Sequence, residues 1–155
     1  MKFGLPSPTP SVIIVDDSTN LIRVYARFFE IAGLHVFATF PDGRDVVEYF
    51  HTINLNPEKA ELARRCVILM DYRMTDMDGI EAAREIRKME DGNPTIILAT
   101  SDEISELSIP KELFDGVLRK PFSMEDFANM LAKISTSKKR KSHPDQAVES
   151  AIGHA

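Results

Sequence analysis

The chain has 155 residues, 43% of them hydrophobic and 28% charged, the balance of one ordinary globular domain with a real core. A net charge of −5 argues against a nucleic-acid-binding body, whose phosphate contacts need clustered cations. No apolar run approaches the roughly 20 residues that cross a bilayer. The single cysteine, Cys66, excludes an internal disulfide and reads as a buried core thiol in a reducing, cytoplasmic setting.

Residues 1–10 hold Pro6, Pro8 and Pro10, which predict a disordered N-terminal arm, and Met1 to Ser11 lacks the apolar core of a signal peptide. Short, mostly β-branched runs then read as strands: Val12–Val15, His35–Phe40, Cys66–Met70, Thr95–Ala99 and Gly116–Leu118. Several are apolar throughout, which suits strands covered on both faces. Helical stripes lie between them: Leu21, Val24, Phe28 and Ile31; Val46, Phe50 and Ile53; Ile80, Ala83 and Ile86; Phe127, Met130, Leu131 and Ile134. Residues 102–114 make a weak fourth helix, because Pro110 must end or kink it. Residues 11–135 form the domain, and 136–155 form a flexible tail, first basic and then polar. Its Lys138-Lys139-Arg140-Lys141 run reads as a solvated charge run rather than a membrane or nucleic-acid contact. The expected fold is α/β: a doubly wound five-stranded parallel sheet, flavodoxin-like order 2-1-3-4-5, with helices on both faces.

In such a sheet, ligands bind outside the C-terminal strand ends, where strand order reverses. The first strand is followed by Asp16 and Asp17, the third by Asp71, the fourth by Thr100 and Ser101, and the fifth by Lys120 and Pro121. The second is followed by Pro41-Asp42-Gly43, a turn. Alone, Asp17 or Ser18 before a helical stripe reads as an N-cap, Asp71 as a loop opener and Lys120 as a solvated charge. Together, three carboxylates that repel one another call for a cation, and an all-oxygen donor set at a strand-end cleft favours Mg2+, with Mn2+ as a substitute. A metal, a hydroxyl and an ammonium can together neutralise the three equatorial oxygens of a phosphoryl group. No cysteine or histidine stands at these ends, so the nucleophile is a carboxylate. Asp16 and Asp17 make the better metal clamp and Asp71 the better nucleophile.

The stretches Val12-Ile-Ile-Val-Asp16-Asp17-Ser18, Val67-Ile-Leu-Met-Asp71-Tyr-Arg-Met-Thr-Asp-Met-Asp78-Gly79, Ile96-Ile-Leu-Ala-Thr100-Ser101 and Lys120-Pro121-Phe122 resemble the receiver domain of two-component response regulators. The resemblance implies that Asp71 accepts a phosphoryl group from a sensor histidine kinase or a phosphotransfer protein. It implies that Asp16, Asp17, Asp71 and the backbone carbonyl of Arg73 hold Mg2+, and that Thr100 and Lys120 stabilise the phosphoryl group. It further implies a cis Lys120–Pro121 bond, a glycine at Gly79 that frees the loop, and tuning of the phosphoryl lifetime by Arg73 and Asp102.

Three features depart from that pattern. Val117 stands where the family usually has an aromatic residue, the fourth helix carries Pro110, and too few residues follow Ser135 for a DNA-binding or enzymatic output domain. The chain therefore resembles a stand-alone receiver whose output is contact with an unidentified downstream protein, and not an enzyme beyond its own phosphorylation and dephosphorylation. Two rivals remain at this stage. One is a degenerate receiver that binds partners without phosphorylation. The other is a Mg2+-dependent aspartyl phosphohydrolase, which wants an acid where Arg73 stands.

Overall fold

The computed structural model describes the backbone of residues 3–90, 94–101, 104–105 and 108–153, and side chains within these up to residue 138 except that of Glu90. Five parallel strands, β1 Val12–Val15, β2 Val36–Phe40, β3 Val67–Asp71, β4 Thr95–Thr100 and β5 Gly116–Arg119, form one sheet in the order β2-β1-β3-β4-β5. Among the described residues five α-helices accompany them: α1 Thr19–Ile31, α2 Gly43–Ile53, α3 Pro57–Arg64, α4 Gly79–Glu90 and α5 Met124–Gly153. This is the doubly wound architecture that the alternation of runs and stripes implies.

Strand alternation sorts the core into two halves. Ile13, Val15, Ile68, Met70, Ile96 and Leu98 face α2, α3 and α4, where Phe50 and Ile86 are fully buried. Ile14, Val67, Leu69 and Ile97 face α1 and α5, against Phe29 and Phe127. Both sides are covered, so β1 and β3 can be apolar at successive positions. Each such side chain contributes about 1.5–3 kcal/mol on burial.

Local signals set the helix ends. Ser18 caps α1 by accepting from Leu21 N at 3.2 Å. Gly33, at φ 89°, closes its other end, with Leu34 N donating to Phe29 O at 2.8 Å; a side chain would be strained at that φ.

Five features differ from the sequence expectation. The inward face of α1 centres on Tyr25 and Phe29, one position past the expected stripe, leaving Val24 and Ile31 exposed. Both registers of α1 are apolar, and the aromatic pair buries the larger area. The arm expected to be disordered over 1–10 packs from Phe3 onward, with Leu5 buried on the α1–α5 side. Two apolar side chains outweigh the extended bias of the prolines there. Helix α3 was not anticipated, although Asn56 caps it from Lys59 N at 3.2 Å and Pro57 opens it. The crossover from β4 to β5 holds no α-helix among its described residues. It turns after Pro110 instead, buries Ile109, Leu113 and Phe114, and is tied down by Arg87 through Leu113 O and Asp115 Oδ2, each at 3.0 Å. Finally, the backbone of α5 continues as helix through Gly153, past Ile134, the last residue of the expected stripe.

Candidate functional site

Sheet register builds the site. Val15 lies level with Met70, Asp71 with Ala99, and Thr100 with Arg119. Asp16 therefore leaves the sheet beside Asp71, with Thr100 and Lys120 just beyond on the next two strands. Backbone bonds lock this end: Asp16 N donates to Phe40 O at 3.1 Å, Tyr72 N to Ala99 O at 3.2 Å and Lys120 N to Thr100 O at 2.9 Å. Asp16, Asp17, Asp71, Arg73, Thr100 and Lys120 all line one open cavity of about 230 Å³. The Lys120–Pro121 bond beside it is cis.

The three carboxylates are not equivalent. Asp16 is buried and both its oxygens are engaged, Oδ1 by Ser18 N and Oδ2 by Lys120 Nζ, each at 2.9 Å. Asp71 Oδ1 accepts from Lys120 Nζ at 2.9 Å, and its Oδ2 has no hydrogen bond or ion pair among the described residues. Asp17 is exposed and makes neither kind of contact with a described residue, because Ser18 rather than Asp17 caps α1. Burial pushes the Asp71 carboxyl above its ordinary value against the pull of Lys120, and the neighbouring Asp16 and Asp17 charges push the same way. Burial works against the Lys120 charge, but its hydrogen bonds to Asp16 and Asp71 outweigh this and hold its pKa above the ordinary value.

The donor set fits a hard divalent cation. One oxygen from each of Asp16, Asp17 and Asp71 lies within 4.8 Å of the others. Among the described residues only one ammonium, Lys120, bonds these carboxylates, the cluster keeps net negative charge, and every donor is an oxygen.

Arg73 is exposed, with its guanidinium carbon 5.6 Å from the Tyr72 ring centroid. Asp102 lies outside the described residues, and so does its expected relation to Arg73. Thr100 is almost wholly buried. Val117 is partly buried and packs against the α2–α4 half of the core, beneath the crossover. Gly79 has a spatial explanation rather than a conformational one: a Cβ there would press into the carbonyl oxygen of Asp71 and lie 3.0 Å from Met70 Cγ. Sequence reasoning missed Tyr25. It stacks on Phe122 at 5.3 Å between centroids, and burial, then the charges of Lys120, Asp16 and Asp71, act on its hydroxyl to give a net raised pKa. Its place one step off the expected α1 stripe gave no signal.

The family model described as the response regulator receiver domain matches residues 12–132. The regulatory protein AtoC of Escherichia coli is 28% identical over 145 residues, covering 90% of this chain and 29% of AtoC. The chain thus spans under a third of that relative. Among solved structures, the Vibrio cholerae chemotaxis protein CheY4 is 28% identical with a TM-score of 0.63, covering 81% of this chain and 98% of that one. Response regulator TrrA of Thermotoga maritima, solved in complex with Mg2+ and BeF, is 20% identical with a TM-score of 0.66 over 81% and 99% of the two chains.

Proposed function

This chain belongs to the response regulator receiver domain family, and on that premise we propose that Asp71 accepts a phosphoryl group in a two-component phosphorelay. The observation that carries the reading is the division of labour among the carboxylates. Asp16 has both oxygens committed, whereas Asp71 Oδ2 bonds no described residue, and Asp71 lines the same cavity as Lys120. An open oxygen on a buried carboxylate of raised basicity is the better nucleophile.

Asp71 Oδ2 attacks the phosphorus of a phosphohistidine on a sensor histidine kinase or phosphotransfer protein. The new O–P bond forms as the P–N bond breaks, and the imidazole leaves with the electron pair and is protonated. Lys120 moves one of its hydrogen bonds to a phosphoryl oxygen, and the Thr100 hydroxyl donates to another. Asp16, Asp17, Asp71 and the Arg73 carbonyl would hold Mg2+, or Mn2+ in its place. When bound, that ion neutralises charge on the phosphoryl oxygens. Water attacking phosphorus in line breaks the O–P bond, restores the carboxylate and resets the switch, with Arg73 and Asp102 as the side chains that tune this rate. The output is a changed protein-binding surface that carries the signal to a downstream protein. We place this activity in the cytoplasm; no helix among the described residues is long and apolar enough to cross a membrane.

Intact-mass spectrometry after incubation with acetyl phosphate tests the reading. The chain gains one phosphate with Mg2+ and none with EDTA, and Asp71→Asn gains none in either. Equal phosphorylation of Asp71→Asn would overturn it.

A further inference from the structure

The turn after β2 reaches across to the loop that follows Asp71. Asp42 caps α2, its Oδ1 accepting from Arg44 N at 3.0 Å. The same carboxylate accepts from two amides of that loop, Asp76 N at 3.0 Å on Oδ2 and Met77 N at 3.1 Å on Oδ1. Arg44 Nε answers with a 2.9 Å contact to Asp76 Oδ2. Gly43 permits the approach, since a Cβ there would lie 2.6 Å from Met77 O.

Residues 72–78 form no helix or strand. Gly79 N donating to Tyr72 O at 2.7 Å closes the loop, and Asp78 caps α4 through Glu81 N at 2.9 Å. Between those fixed ends, Asp42 holds the loop from a different element, with charge-assisted bonds to consecutive backbone amides.

We propose that Asp42 is a positioning residue for the phosphoryl site: it fixes the loop that presents the Arg73 carbonyl and side chain, without itself lining the cavity. The inference rests on the function proposed above. A backbone ligand has no rotamer to select, so it is placed only by fixing its loop. An untied loop must be ordered when the ion arrives, and that entropy subtracts from affinity. The loss therefore appears in Mg2+ binding as well as in stability.

Asp42→Ser separates the two roles, because serine still caps α2 but is too short to reach the amides of Asp76 and Met77. Asp42→Asn keeps one acceptor oxygen and serves as the milder variant. Arg44→Ala removes only the exposed return contact. Amide exchange of the metal-free chain, calorimetric titration with MgCl2 and thermal midpoints are compared.

Asp42→Ser is expected to speed exchange within 72–78 and to weaken Mg2+ binding about 10-fold, the lower end for groups that orient ligands from behind. Acetyl phosphate labelling then falls at limiting Mg2+ and recovers at saturation. Asp42→Asn falls between Asp42→Ser and wild type, and Arg44→Ala changes affinity by no more than about 2-fold. Wild-type affinity and wild-type loop exchange in Asp42→Ser would overturn the inference. A lower midpoint with neither faster loop exchange nor weaker Mg2+ binding would do so too. If Asp17→Ala and Asp71→Asn also kept full Mg2+ binding and phosphorylation, the functional reading itself would fall. If those two lose both while Asp42→Ser is silent, only the positioning role falls.

Discussion

Removing the Lys120 ammonium while keeping its apolar bulk, as in Lys120→Met, tests how the pocket tolerates three carboxylates. Its contacts to Asp16 and Asp71 are each 2.9 Å, and the three side chains are 12%, 3% and 11% exposed for Lys120, Asp16 and Asp71. At an effective dielectric of about 20, each contact has a gross Coulomb energy of about 6 kcal/mol. Desolvation of the charges takes much of that back, and breaking a buried pair from one side typically costs about 3–5 kcal/mol. Solvent screening is slight at these exposures, so the small values of surface pairs do not apply. A loss of this size is a fifth or more of a typical domain's total stability, about 5–15 kcal/mol. The sign with pH follows from Asp71, whose carboxyl burial already pushes up. Without Lys120 it rises further. A carboxyl with a raised folded pKa favours the fold below its unfolded value, and that contribution is lost as pH rises through the folded value. The deficit of Lys120→Met is therefore small near the ordinary aspartate value of 3.8 and grows toward neutrality. Mg2+ supplies the missing positive charge, so saturating Mg2+ stabilises the variant more than wild type. Urea denaturation in EDTA at acid and neutral pH, then with Mg2+, measures each part. An equal deficit at both pH values would refute the reasoning.

Gly79→Ala sets two effects against each other. A glycine-to-alanine change at ordinary φ gains about 0.4–1 kcal/mol from the unfolded state, but forcing a methyl into packed atoms costs about 1–3 kcal/mol. The blocking atom is the immobile Asp71 carbonyl, so urea denaturation should show net loss; a stabilised variant would contradict the packing. Cys66 is buried and its thiol is pushed up to about 11. Ellman's reagent should leave it unreacted in the native chain and label it fully in urea, and fast native labelling would show that the α3–β3 junction opens. Thr100→Ala should still be phosphorylated but show a weaker phosphorylation-dependent change in amide exchange over 101–114, reduced by up to about half, since one hydroxyl contact is worth about 1–3 kcal/mol of a switch that needs about 5 kcal/mol. Val117→Ala should respond nearly normally, because valine is too small and stiff for the aromatic swing; a response confined to the Val117 strand would contradict this.

The strands were legible because their runs are short, together mostly β-branched, and in several cases apolar throughout, and the site was legible because every strand of the switch region ends on a chemical group. Asp16, Asp17, Asp71, Thr100 and Lys120 sit one or two positions beyond, or at the last residue of, such runs, so their convergence followed once the strand order was known. What failed depended on tertiary choice. The α1 stripe had two apolar registers, and only packing against Phe122 and Phe127 selects Tyr25 and Phe29. The N-terminal arm has few apolar residues, and Leu5 counts only through its burial in the cluster shared by α1 and α5. Asp42 looked like any turn aspartate, since its partners stand 34 and 35 positions away in sequence. Helix α3 carries a local signal, Asn56-Pro57, but buries only Ala60 and Ala63, so no strong apolar stripe follows its cap.

Borohydride trapping tests the central claim most directly. Reduction of an aspartyl phosphate yields homoserine, which peptide mass spectrometry locates to a single residue. After acetyl phosphate and Mg2+, homoserine is expected at position 71 alone and is absent in EDTA. Homoserine at position 16 or 17, or a phosphate that survives borohydride on another side chain, would contradict the assignment of Asp71 as the phosphoryl acceptor.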